Sequence, residues 1–154
     1  MATLIKSANQ LQKMLETKAQ QAIMLSQAEI YEVVQKHMEG YYNEAVFNPP
    51  DKTEPDVYQR TYQFLNNLIQ TNITTKNGAI SCSVQFDEDY FNYTYKGGAT
   101  GFQVLEWANE QTHGGTVPGK IEFWNDAMEE LGGRAGIMKI IEKNFKKVGL
   151  PLTK

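Results

Sequence analysis

LIKSANQLQKMLETKAQQAIMLSQAEIYEVVQKHM, residues 4–38, decides the fold. Leu4, Ala8, Leu11, Leu15, Ala19, Ala22, Ser26, Ile30, Val33 and His37 recur at steps of three and four. Nine steps cover 33 residues, an average of 3.67, which is the period of one helix face. Ser7 is placed to start the hydrogen-bonded helix. Its hydroxyl can accept from the Gln10 amide while the Gln10 side chain reaches back, the reciprocal pair of a capping box. Gly40 is a suitable terminator beyond Met38. The pattern therefore predicts one long helix over residues 7–39. Ser26-Gln27-Ala28-Glu29 is a second possible capping box, so a helix broken near Ser26 and folded back as a hairpin is the alternative.

Length gives this helix a consequence. From Ser7 to Glu39 it would run ~50 Å at 1.5 Å per residue. A compact globule of this chain is only about 40 Å across. An unbroken helix overhangs its own domain, and an overhanging apolar stripe needs a cover that a neighbouring subunit can supply. Leu11, Leu15, Ala19, Ala22, Ser26, Ile30 and Val33 are the candidate subunit interface. Ala19, Ala22 and Ser26 make its middle thin enough for close backbone approach. An aspartate at Ala22 should then block assembly and leave the single chain folded.

Working outward, residues 41–57 read as a linker, since Asn48-Pro49-Pro50-Asp51 and Pro55 stop both helix and central strand. Tyr58, Tyr62, Leu65 and Ile69 have helical spacing, giving a short helix over about 59–67. Asn77-Gly78 is the strongest local signal, because a type I′ turn needs positive φ at both residues. With those two as the loop, Lys76 faces Ala79, Thr75 faces Ile80, Ile73 faces Cys82, Thr71 faces Val84 and Ile69 faces Phe86. Strands over 68–76 and 79–87 follow, with Ile69, Ile73, Ile80, Cys82, Val84 and Phe86 on one inward face. Residues 90–95 are either a third strand or an aromatic loop, ended by Gly97, Gly98 and Gly101. A two-turn helix follows over 102–109, with Val104, Leu105 and Ala108 inward. His113–Gly119 is a glycine-rich loop. Phe123, Trp124, Ala127, Met128 and Leu131 form one helical stripe, Gly132-Gly133 breaks it, and Ile137, Ile140, Ile141, Phe145 and Val148 form another, closed by Gly149 and Pro151.

This order predicts an α+β fold: a long N-terminal helix, an antiparallel β-sheet containing the hairpin at Asn77-Gly78, and C-terminal packing helices over 101–150. The 154 residues fit one domain spanning 1–154, with short helix and sheet over 58–96.

A formal charge of −3 argues against a nucleic-acid binder, which usually carries a basic excess. The total hides an asymmetry: residues 134–154 hold six Lys or Arg and one acid, +5, which leaves −8 for the rest. Such a split suits head-to-tail contacts between subunits. The plainer reading is a solvated lysine face that complements a helix C-terminus. No stretch approaches the ~18 apolar residues of a membrane span, and MATLIKSANQ lacks the apolar run of a signal peptide.

Chemistry-bearing motifs are few. No P-loop, GxSxG, HExxH or GxGxxG occurs, and one cysteine permits neither an internal disulfide nor a Cys/His cluster. His37 sits on the helix stripe as a packing or interface residue. His113 could serve a base, but Cys82 on an inward strand face is inert packing. Asp87, Glu88 and Asp89 offer oxygens to calcium without EF-hand spacing, and read better as a solvated acidic turn. Tyr90, Phe91, Tyr93 and Tyr95 could stack single-stranded bases, yet their flanks are acidic, which favours core or interface use. The expectation is a non-enzyme without cofactor or metal.

Three segments together resemble a known family. Tyr58-Gln59-Arg60-Thr61-Tyr62-Gln63-Phe64-Leu65-Asn66-Asn67 resembles a "Y-x-R-T-x-x-L-x-x-S" segment of tailed-phage neck or tail-completion proteins, with Asn67 where serine is common. Val104-Leu105-Glu106-Trp107-Ala108-Asn109 with Thr112-His113-Gly114-Gly115 looks like that family's helix and "G-T-H-G" end, with Gln111 for the usual small residue. Phe123-Trp124-Asn125-Asp126-Ala127-Met128 leads into a final amphipathic helix. The motif residues are Tyr58, Arg60, Thr61, Leu65, Trp107, His113, Gly114, Phe123 and Trp124. The resemblance implies a structural virion protein of the neck, at the head–tail interface, assembled in the host cytoplasm. It implies a homo-oligomeric ring between a head-completion or connector protein and a tail-terminator or tail-tube protein. DNA would pass through the channel without sequence-specific binding. A tail-terminator at the head-proximal end of the tail tube, a small non-virion host-directed binding protein, and a hydrolase using His113 are the alternatives.

Overall fold

The computed structural model describes residues 7–43, 63–91, 94, 97–110 and 122–152. The long helix α1, Ala8–Asn43, is unbroken through Ser26. Ser26 keeps its hydroxyl inside the helix by donating to the Ala22 carbonyl at 2.8 Å, so the second capping box does not form a break. The Ser7 cap is present, its Oγ accepting from the Gln10 amide at 3.3 Å. At the other end α1 runs past Gly40, so residues 41–43 belong to the helix and not to the linker. Tyr41 explains this. It is buried and meets Phe123 edge-on, ring centroids 5.2 Å apart. Burying an aromatic ring outweighs the ~1 kcal/mol that an interior glycine costs a helix. The rest of the expected linker, 44–57, lies outside the described residues.

After α1 come α2, Gln63–Asn66, then β1, Leu68–Gln70; β2, Thr74–Lys76; β3, Ala79–Ser81; and β4, Val84–Phe86. The hairpin turns at Asn77 and Gly78, with φ of 52° and 76°, the two left-handed residues of the expected turn. Near the turn the register is as read, Lys76 facing Ala79 and Thr75 facing Ile80. Beyond it the register slips by one. Leu68 faces Phe86 and Gln70 faces Val84, where Ile69–Phe86 and Thr71–Val84 were expected. The single long hairpin is thus two short ladders, β2–β3 and β1–β4. Between them Asn72 and Ile73 oppose Cys82 alone, the two-against-one count of a β-bulge. A one-residue slip exchanges faces, so Leu68 and not Ile69 is buried, and Cys82 is half-buried where a core position was expected.

A helix side chain holds the bulge. Gln27 of α1, only 5 % exposed, donates through Nε2 to the Thr71 carbonyl at 2.9 Å and the Ser83 carbonyl at 2.8 Å. The Thr71 hydroxyl accepts from the Ser83 amide at 2.7 Å, standing in for a ladder carbonyl. Gln27→Leu keeps the volume but leaves both carbonyls without that donor, each worth roughly 1–3 kcal/mol when buried. The expected result is a loss of about 2 kcal/mol in urea unfolding, with faster amide exchange at Ser83. An unchanged midpoint would show that the bulge needs no clamp.

Four more helices follow among the described residues: α3, Glu88–Phe91; α4, Gly101–Glu110; α5, Phe123–Glu130; and α6, Gly133–Lys147. Where a third strand over 90–95 was one expectation, Tyr90 and Phe91 sit in α3, and among the described residues of that stretch Thr94 alone makes a bridge, to Thr100. Asp87 starts α3 by accepting from the Asp89 amide at 3.1 Å. Thr100 and Gln103 form a capping box for α4, Oγ1 accepting from the Gln103 amide and Oε1 from the Thr100 amide. α6 ends as Gly149 and Pro151 imply. Gly149 takes φ of 80°, its amide bonds the Lys146 carbonyl, and the Leu150 amide reaches the Phe145 carbonyl, the paired bonds of a Schellman motif.

α5 and α6 both pack along α1, and β1, β3 and β4 also lie against it. The main core gathers Val34, Met38 and Tyr41 of α1 with Phe64, Leu68, Val104, Leu105, Ala108, Phe123 and Ala127. The last third of α1 therefore buries Val34 and Met38, with Val33 and His37 only half-buried, one position off the expected stripe. The expected α6 stripe is half-buried throughout, and its fully buried residue is Asn144.

Candidate functional site

The candidate interface splits into three stretches along α1. Its first part, residues 7–17, is exposed along every face, with Leu11 and Leu15 each at 40 % and Met14 at 37 %. A groove of about 550 Å³ lies here, bordered by Leu11, Leu15 and Ala19 of α1, by Thr75, Gly78 and Ile80 of the hairpin, and by Leu150. Gln20 ties the hairpin to the helix, its Nε2 donating to Thr75 Oγ1 at 3.0 Å.

The middle is different. Ala22 is 0 % exposed and Ser26 is 2 % exposed inside the chain's own fold. Asn144 of α6 covers Ser26, its Nδ2 donating to Ser26 Oγ at 3.3 Å. The same nitrogen reaches Glu29 Oε1 and the Ile140 carbonyl, and Oδ1 has no hydrogen-bond partner among the described residues. The thin middle of the stripe thus admits the chain's own α6, which leaves Ala22 and Ser26 with almost no exposed surface. Further along, Ile30 and Val33 are half-buried. Ile30 lines a cleft of about 490 Å³ together with Ser26 and Val34 of α1, Ile80–Val84, Trp124 and Met128 of α5, and Ile137 and Ile141 of α6.

Among the described residues, charged side chains tie the helices together at two points. Lys143 Nζ lies 2.6 Å from Glu29 Oε2. Burial pushes the Glu29 carboxyl upward, but hydrogen bonds from Lys143 and Asn144 outweigh it and hold the group below the usual carboxylate range. Lys36 and His37 both meet Glu130 at 2.8 Å. The Lys36 hydrogen bond, then that of His37, keeps Glu130 low. His37 is thus engaged within the chain. Burial pushes the Cys82 thiol up, away from a reactive thiolate. Among the described residues no group of three His, Cys, Asp or Glu is arranged to hold a metal.

The motif residues that are described come together. Leu65, Trp107 and Trp124 pack around the core that contains Phe123. Asn109 accepts from the Trp124 amide at 2.9 Å, and Trp124 meets Phe86 with ring centroids 5.9 Å apart. Their shared work is packing α2 and α5 onto α1 and α4 onto α5. Tyr58, Arg60, Thr61, His113 and Gly114 lie outside the described residues. Met14, Gln27 and Asn144 were not read as special. Gln27 could have been found as the polar member of an Ile23, Gln27, Ile30, Val34 row at steps of four, three and four.

No helix among the described residues is long and apolar enough to cross a membrane. No curated protein and no solved structure matches the chain. The model of one family, YomN, a phage-derived family of the Bacillus prophage type, matches residues 7–147. With nearly the whole chain matched, this phage-associated protein belongs to the YomN family.

Proposed function

We propose that this protein is a structural, non-catalytic component of a phage particle's neck, assembling as a ring of copies that joins the head connector to the tail. One observation carries the reading. The first three turns of α1 project beyond the core with Leu11, Met14 and Leu15 on their surface, beside an open apolar groove. An α-helix of 36 residues spans ~54 Å, more than a globule of this chain needs. Exposed large side chains at the end of such a helix are suited to burial against another subunit. The resemblance to neck and tail-completion proteins supports the location, and the phage family supports the setting.

Mass measurement on purified particles is the test. The protein should be present in a small fixed copy number, and its absence from particles would overturn the reading. Leu11→Glu with Leu15→Glu should reduce incorporation at least about tenfold, the scale of losing two interface anchors. Both positions are exposed, so the purified variant should keep its helical circular dichroism. Normal incorporation would remove the end of α1 from the interface.

A further inference from the structure

α6 carries Arg134, Lys139, Lys143, Lys146 and Lys147 against one acid, Glu142. The three preceding helices are the reverse. α3 holds Glu88 and Asp89, α4 holds Glu106 and Glu110, and α5 holds Asp126, Glu129 and Glu130, with no lysine or arginine in any of them. Within the chain only Lys143 and Glu130 are used in ion pairs among the described residues, with Glu29 on one side and Lys36 and His37 on the other. α4 packs on α5 and α5 on α6, so α5 stands between the acidic α4 and the basic α6.

The helix macrodipole accounts for only part of the basic surface. Lys146 and Lys147 lie in the last turn of α6, where cations are favoured. Arg134 lies in the first turn, where the dipole disfavours a cation, and Lys139 lies too far from the C-terminus to benefit. Each surface also presents an apolar anchor. Met138, next to Lys139 and one turn from Arg134, is 45 % exposed. Tyr90, next to Asp89, is 57 % exposed, and Phe102, one turn before Glu106, is 42 % exposed.

We infer that these two surfaces are the halves of one contact: the acidic α3–α4 face of one copy docks on the basic face of α6 in the next. This deepens the ring reading and rests on its premise that copies associate. Charge complementarity names the occupant, because the same chain supplies both signs and carries the α3–α4 acids and the α6 cations on helices separated by α5. Exposed aromatic and methionine side chains close to charges are the composition of a protein–protein interface. The two faces differ, so the contact is heterologous and repeats head to tail, closing into a ring where the rotation allows.

The test is charge reversal with rescue, read by sedimentation velocity of the full chain in low and high salt. The wild type should associate in low salt and weaken as salt screens the surfaces. Arg134→Glu with Lys139→Glu should weaken association by at least about tenfold, and Glu106→Lys with Glu110→Lys should do the same. The protein carrying all four changes should recover most of the wild-type association. Arg134→Glu suits the start of α6, so folding should survive it. If a reversal pair loses its helical signal, Met138→Gln reads the same surface and should also weaken association. A wild type that stays monomeric in low salt, reversals without effect, or four changes without recovery would each overturn the contact. Absence from particles would overturn the neck reading and leave this solution contact standing.

Discussion

Ala22→Asp should unfold the chain or bring it close to unfolding, with a loss of roughly 3–5 kcal/mol. Ala22 is completely buried, and its carbonyl already accepts from the Ser26 hydroxyl beside it. A carboxylate there must either remain charged without water or take up a proton at neutral pH, and both cost free energy. Against a total stability of about 5–15 kcal/mol the change is large. The melting temperature should fall by roughly 10 °C or more. Ala22→Ser, with a hydroxyl that can bond within the helix, should lose far less. The experiment also separates two views of α1. If Ala22 faced a neighbour, the aspartate would leave the single chain at wild-type stability and block only assembly. A wild-type urea midpoint for Ala22→Asp would restore that view and remove α6 from the middle of α1.

The period of α1 was legible because it is a local property of spacing, but its phase was not. Val33 and Val34 are both apolar, and His37 stands directly beside Met38, so the pattern fits two faces that differ by one residue. The core at the end of α1 selects Val34, Met38 and Tyr41, and that choice is made by Phe123, far away in sequence. The Asn77-Gly78 turn was legible for a comparable local reason, since it needs two positive φ angles and has residues that tolerate them. The bulge was not, because its donor is Gln27, 44 residues from the Thr71 carbonyl that it serves.

The candidate site shows the same division. Leu11 and Leu15 could be read as an exposed apolar end from length alone, since a helix longer than its domain must leave one end uncovered. Ala22 and Ser26 misled because small residues permit close approach without naming the partner. Here it is Asn144, a polar residue inside a stripe of isoleucines, seated over Ser26 and Glu29. Charge asymmetry was legible in composition, whereas the division of the two signs between α6 and α3–α5 needed the fold.

Gly136→Ala poses a case in which local and tertiary reasoning give opposite signs. Gly136 is the fourth residue of α6, and alanine there improves helix propensity by about 1 kcal/mol. A reading from the helix alone therefore expects a more stable protein. In the fold, a Cβ on Gly136 would sit 1.7 Å from the Leu131 carbonyl oxygen. A carbon normally approaches a carbonyl oxygen no closer than about 3.3 Å, so one of the two must move by roughly 1.5 Å. Neither can do so freely. Leu131 is 5 % exposed, and its amide bonds the Ala127 carbonyl at 2.9 Å. The Gly136 amide bonds the Gly132 carbonyl at 3.0 Å, and Gly132 itself is held at φ of 71°. Shifting either residue loosens the turn that sets α6 against α5 and drags on the contact with α1. The expected outcome is a net loss of about 3 kcal/mol or more, after the gain in propensity. Thermal unfolding decides the matter by sign. A variant more stable than the wild type would mean that α5 and α6 are not joined by this close turn.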